Sequence, residues 1–356
     1  MKKILAVYTG GTICSAPENN MRDLHPALAK RALLTCFAES DSAYASKAKE
    51  LFVDSELPAE LQTLSENMTP DKLSGIIRHI KSFDLTKYSG IIVLHGTDTL
   101  AYTAALFAFV FARTPVPIMI VSGNRPPMDP ESNANANFRT ATELIMNGIA
   151  PNVYVPYRNS NGSIKLFLGS SVMQCANYSE NFRSASEQKV FEVYENTEKL
   201  FSECQRISES INRSAYPQIN ELQELQSGVK LITAHTGLDY SDISLNNTKA
   251  IIHGTYHSGT VCIDKANTEA PPSQFSILHL SERCKKNNIP LFIAPCKLDK
   301  DQYASAFEAT RSGAAIPLDM TTEAAYGKLI VGISCGLCGD TLIKFMLTEI
   351  NDEMAE

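Results

Sequence analysis

The chain has 356 residues, 44% of them hydrophobic and 20% charged, which suits an ordinary globular protein of two or so domains with a large core. A formal net charge of -7, with no lysine- or arginine-rich cluster, argues against a non-specific nucleic-acid surface. No segment approaches the ~18 consecutive apolar residues of a membrane helix, and nine scattered cysteines fit reduced thiols in a cytoplasm better than a disulfide framework.

Met1-Lys2-Lys3 followed by ILAVY superficially suggests a secretory signal, but the apolar part is too short and a polar loop follows at once. Ile4 to Ile13 instead reads as a buried strand running into Thr9-Gly10-Gly11-Thr12. Paired glycines permit a sharp turn, which delivers two threonine hydroxyls to the carboxyl edge of a parallel sheet. A tight Gly-Gly turn with a helix-capping Thr is the alternative reading.

Ala27 to Phe37 has mixed helical character, and Glu50 to Val53 suits a short strand. Thr69-Pro70-Asp71 starts a helix whose apolar residues Leu73, Ile76, Ile77 and Ile80 keep helical spacing. Gly90 to Leu94 is a second buried-strand run, ending in His95-Gly96-Thr97-Asp98-Thr99 and then a buried helix, Leu100 to Ala112. Val116 to Val121 is a third, ending in Ser122-Gly123-Asn124-Arg125-Pro126-Pro127. A helix from Asn133 to Met146 and strands at Val153 to Pro156 and Ile164 to Leu168 follow. The alternation predicts an α/β domain with a mostly parallel sheet and helices on both faces.

Periodicity fades from about Ser184 to Ser227, where Glu, Ser, Asn and Gln accumulate. A second α/β pattern then begins, with strands at Val229 to Thr233, Ala250 to His253 and Pro290 to Ala294 and helices at Ser273 to Lys285 and Thr321 to Ile333. The predicted organisation is a larger domain over 1–185, a connection over 186–227 and a smaller α/β domain over 228–356. Cys335 and Cys338 form one CxxC with no second ligand pair to complete a metal site, so a packed turn is the simpler reading.

TGGTI at 9–13 followed by HGTDT at 95–99 resembles the paired signature of the bacterial L-asparaginase/glutaminase family. The similarity extends along nearly the whole chain, including Ser122 to Pro126 and Met320 to Ala324. The short N-terminus resembles the family's cytoplasmic type. The resemblance implies a homodimer or homotetramer that hydrolyses a small-molecule amide through a threonine acyl-enzyme, with no metal; no other cofactor is expected, and the charge and hydropathy above lead to the expectation of no nucleic-acid and no membrane partner. It makes Thr12 the nucleophile, places Thr97 near the attacking group or water, and gives Asp98 the substrate α-amino group. Gly11, Ser65, Gly96 and Gln174 would line the substrate site, Ser65 as a carboxylate contact, and backbone N–H groups near Gly11 and Thr97 would meet the oxyanion. The chemistry is consistent, since a threonine hydroxyl needs a base to become nucleophilic and the tetrahedral intermediate needs fixed donors.

The chain also departs from the pattern. No Tyr stands between Ala16 and His25, where the family carries one on a lid. Gln174 takes the place of a Lys, and an amide cannot accept that proton; Lys165 would reach the site only through a shifted strand. Asn133 stands where an Asp begins a helix, and Thr260 where a neighbouring subunit lends an Asn. His25, Tyr256 or His257 would have to substitute; the plainer reading is that His25 precedes Pro26 in a loop and that His253 and His257 simply satisfy backbone groups. Two functions therefore stay open, an amidohydrolase acting on L-asparagine or a related amide, and a catalytically impaired protein that binds an amino acid or derivative. An amidotransferase-type subunit supplying ammonia ranks last, because no segment resembles a partner- or tRNA-binding domain.

Overall fold

In the computed structural model, which describes residues 2–18, 21–212, 217–265, 270–297 and 303–355, the first apolar run is strand β1 (Lys3–Tyr8), buried from Ile4 onward. Six more strands complete its sheet: β2 (Phe52–Asp54), β3 (Tyr88–Leu94), β4 (Ile118–Val121), β5 (Val153–Arg158), β6 (Ile164–Leu168) and β7 (Val190–Glu192). Their order is β7-β6-β5-β4-β3-β1-β2. The pairings from β2 through β5 are parallel, and β6 pairs antiparallel with both β5 and β7. Parallel strands covered on both faces read as continuous apolar runs. Here Ile4, Ala6 and Tyr8 join a core with Leu33, Phe37 and Phe138, while the alternate residues Leu5 and Val7 are equally buried.

The helices start where local chemistry says they should. Thr69 Oγ1 accepts from Lys72 N–H at 3.3 Å ahead of Pro70–Lys81, whose Ile76, Ile77 and Ile80 are buried. Leu100–Val110 is buried almost all round, which its uniformly apolar sequence requires.

The chain divides into two compact units, Met1–Leu225 with Ile350–Asp352 and Gln226–Glu349 with Glu353–Glu356. Most of the stretch read as a connection is therefore built into the first unit. Its helix Thr197–Ser210 sends Leu200, Cys204 and Ile207 into the same core as β1. Asn351 is also part of this unit, its Nδ2 donating to Ala108 O at 2.7 Å. The second unit is a parallel four-stranded sheet in chain order, β8 (Val229–Ile232), β9 (Ala250–His253), β10 (Leu291–Ile293) and β11 (Ile316–Pro317). Its core gathers Ile251, Ile277, Leu280 and Ile293.

Candidate active site

The strand order of the first sheet reverses between β1 and β3, because β2 lies on one side of β1 and β3 on the other. The loops leaving such a switch point frame a crevice at the carboxyl ends of the strands. These two loops are Thr9 to Thr12 and His95 to Thr99. Their glycines touch: a Cβ on Gly11, which sits at φ 74, would fall 2.1 Å from Gly96 Cα. Only two glycines allow that approach, and it brings Thr12 and Thr97, each the next residue, to one place.

The loops are anchored from behind. Thr9 Oγ1 donates to Leu94 O at 2.7 Å, and Thr63 N–H donates to Thr9 O at 2.9 Å. Gly11 N–H donates to Thr63 O at 3.0 Å, so this N–H, beside the expected oxyanion donors, is already committed. Lys72 Nζ donates to Thr63 Oγ1 at 2.8 Å, nine residues away, and places a cation behind the Thr12 loop.

Ser65 is 2% exposed and its hydroxyl is shared with Asp98. Ser65 Oγ donates to Asp98 Oδ2 at 3.0 Å and accepts from Asp98 N–H at 3.2 Å, while Thr99 Oγ1 donates to Ser65 O at 2.9 Å. The expected substrate contact is thus first of all the group that aims the Asp98 carboxylate. Asp98 itself is exposed and Thr97 half-buried.

His95 closes β3 fully buried. Its Nδ1 lies 2.8 Å from Gly96 O, which can only accept, so Nδ1 carries the proton and Nε2 accepts from Thr103 Oγ1 at 3.1 Å. Burial lowers its pKa below the ordinary value. A neutral, doubly engaged ring holds the loop and faces away from proton transfer. Sequence reasoning misses this role, although a His ending a buried strand next to a Gly is a usable signal.

Gln174 does stand beside the second loop, its Nε2 donating to Thr97 O at 3.2 Å. Beyond it a cavity of about 380 Å³ extends from Thr97 and Asp98 past Cys175 to Tyr157, Asn124 and Glu180. Lys165 is held elsewhere, 3.5 Å from Glu192 across the β6–β7 pair, and does not replace the missing lysine. Asn133 braces the loop after β4 in place of capping its helix: its Oδ1 accepts from Asn124 N–H and its Nδ2 donates to Arg158 O, both at 2.9 Å.

The segment after Thr12 is a hairpin, Ser15–Glu18 with Met21–Leu24; Asn19 and Asn20 lie outside the described residues. His25 opens the following helix, its N–H donating to Cys14 O at 2.9 Å. Tyr256, His257 and Thr260 belong to the second unit, where Tyr256 N–H donates to Thr260 O at 2.9 Å. His253 satisfies a backbone group there, with Nδ1 2.6 Å from Gly254 O. Among the described residues no group of three or more His, Cys, Asp or Glu could hold a metal ion, and no helix is long and apolar enough to cross a membrane.

A family model described as "Asparaginase, N-terminal" matches residues 3–206. A glutamyl-tRNA(Gln) amidotransferase subunit of Methanococcus maripaludis is 29% identical over 246 residues, 67% of this chain and 55% of that protein. An L-asparaginase of Thermococcus kodakarensis is 30% identical over 171 residues, 48% of this chain and 47% of that one. The chain thus spans about half the length of these relatives. Among solved structures, the thermostable L-asparaginase from Thermococcus kodakarensis superposes with a TM-score of 0.68 over 99% of both chains at 22% identity, which shows a common fold.

Proposed function

This chain belongs to the asparaginase family, and from that premise we propose that it is an amidohydrolase that releases ammonia from L-asparagine or a related small amide. In this reading Thr12 attacks the side-chain carbonyl, Thr97 flanks it, and Asp98 pairs with the substrate ammonium. The observation that supports the reading is the contact of Gly11 with Gly96, which brings the backbone of Thr12 close to that of Thr97, beside the Asp98 carboxylate that Ser65 aims. The N–H groups of Thr12 and Thr97 would meet the oxyanion, where each donor is worth roughly 10²–10³ in rate. Gln174 contributes a fixed amide and no proton acceptor, so turnover is slow near neutral pH. The expected homodimer or homotetramer and cytoplasmic setting belong to the same proposal.

The test is ammonia release from L-asparagine, L-glutamine and small amide analogues by the purified chain and by Thr12→Ala. Release that vanishes in the variant supports the reading; equal release by both defeats it. The presence of Gln174 supports the second reading, a protein that binds an amino acid without turnover, which calorimetry would show as binding with no ammonia. The match to amidotransferase subunits gives weight to a third, in which the ammonia passes to a partner; its mark is turnover that rises when that partner is added.

A further inference from the structure

The cavity of about 380 Å³ starts at Thr97 and Asp98, read above as the seat of the amino acid, and runs past Cys175 to Tyr157, Asn124 and Glu180. Ammonia is about as large as a water molecule, whose share of liquid volume is roughly 30 Å³, so a primary amide leaves this far end without substrate contacts. One wall carries a buried polar atom with nothing to bind. Tyr157 is 0% exposed and its hydroxyl makes no hydrogen bond. Asn133, which bears on its titration, has its Oδ1 engaged by Asn124 N–H and one Nδ2 hydrogen engaged by Arg158 O; its second N–H can only donate, so the Tyr157 hydroxyl proton is still without an acceptor. Buried hydroxyls are rarely left so, because removal from water is compensated only by a partner.

The charged residues lining the cavity, among those described, are both acidic, Asp98 and Glu180. Asn124 Nδ2 donates to Glu180 Oε2 at 2.7 Å and fixes that carboxylate at the wall. A substrate carboxylate is disfavoured there by like charge, and Asp98 is taken by the substrate ammonium. What remains to occupy the space is the substituent on the amide nitrogen.

We propose, resting on the amidohydrolase reading above, that this cavity seats the leaving amine and that the preferred substrate is a secondary amide R–CO–NH–R′, whose R′ accepts a hydrogen bond from Tyr157 and is neutral or cationic towards Glu180. The Thr12 oxygen bonds to the carbonyl carbon, the C–N bond breaks, and the hydroxyl proton passes to the departing nitrogen, releasing H₂N–R′. Water then splits the ester, its oxygen staying with the acid and one proton returning to the Thr12 oxygen. With asparagine R′ is hydrogen and the Tyr157–Glu180 end of the cavity is left to water.

The test uses four L-aspartate β-amides, made from ammonia, 2-methoxyethylamine, ethylenediamine and β-alanine, with aspartate release measured on the full chain. The expected result is kcat/KM at least roughly tenfold above asparagine for the methoxyethyl and aminoethyl amides, and below it for the anionic one. Tyr157→Phe then lowers the methoxyethyl-to-asparagine ratio about tenfold, and Glu180→Gln lowers the aminoethyl-to-asparagine ratio similarly. Asparagine as the best substrate, or ratios unmoved by both variants, would overturn the proposal. If none of the four is hydrolysed, the amidohydrolase reading fails, and calorimetry with the same compounds decides the cavity by itself. Tighter binding of the neutral and cationic extended amides than of asparagine supports a seat for R′; equal or weaker binding overturns it.

Discussion

Ser65 and Asp98 are tied to each other twice: Ser65 Oγ donates to Asp98 Oδ2 at 3.0 Å, and Asp98 N–H donates back to Ser65 Oγ at 3.2 Å. A hydroxyl that accepts from a residue's backbone and donates to its carboxylate fixes both the turn and the direction of the charge. Ser65→Ala removes both bonds. If Asp98 holds the substrate ammonium, KM for asparagine rises roughly tenfold with a smaller change in kcat, and stability falls by about 1–2 kcal/mol. Steady-state kinetics and thermal denaturation check this; a lower kcat at unchanged KM would contradict the assignment.

Gly11 and Gly148 both sit at positive φ, 74° and 83°, but only Gly11 lacks room for a side chain. A Cβ on Gly11 would meet the Gly96 backbone at 2.1 Å, whereas one on Gly148 would meet nothing within 4 Å. Gly148→Ala is therefore expected to cost only the left-handed conformation, about 1–2 kcal/mol. Gly11→Ala forces two backbones apart and should cost more than ~4 kcal/mol, with loss of activity. Denaturant unfolding of the two variants measures the difference; similar costs would mean that the loop contact is not needed.

Gln174 offers a gain-of-function test. Its Nε2 reaches Thr97 O at 3.2 Å, so a longer cationic side chain at this position lies beside the second loop. General acid–base catalysis contributes about 10²–10⁴ in rate where a suitable group is present. Gln174→Lys is expected to raise ammonia release at least tenfold, read from initial rates between pH 7 and 9. An unchanged or lower rate would show that proton transfer does not pass through this position.

His253 gives the second unit a pH dependence. Burial pushes its pKa down to about 4, with Nδ1 donating to Gly254 O and Nε2 accepting from Tyr240 Oη at 2.7 Å. The unfolded chain takes up the proton near pH 6.5, while the folded ring resists it until about pH 4. The stabilisation is therefore complete above pH 6.5 and is lost as pH falls from there to about 4, by roughly 3 kcal/mol in all. Denaturation midpoints across that window should fall more steeply for the wild type than for His253→Gln. Parallel slopes would count against the buried neutral ring.

Much of the first sheet was readable because parallel strands covered on both faces carry uninterrupted apolar runs, as in Gly90 to Leu94 and Val116 to Val121. The two polar loops were readable for the same reason, since each interrupts such a run with glycines. The helix Thr197–Ser210 was hidden by its composition. Leu200, Cys204 and Ile207 keep helical spacing, but the residues between them are nearly all polar. The helix expected from Ser273 starts later, at Ile277, because the Ser276 hydroxyl caps it through Leu278 N–H. The Ser65–Asp98 lock and the lone Tyr157 hydroxyl depend on distant segments meeting, and no local pattern announces them.

The central claim is that Thr12 carries the acyl group. Acid-quenched protein mixed with excess L-asparagine, digested and weighed by mass spectrometry, tests it most directly. The predicted result is an aspartyl ester on the peptide bearing Thr12, absent from Thr12→Ala. An ester on Thr97 instead, or steady ammonia release with no acylated peptide under conditions that trap such esters, would contradict it.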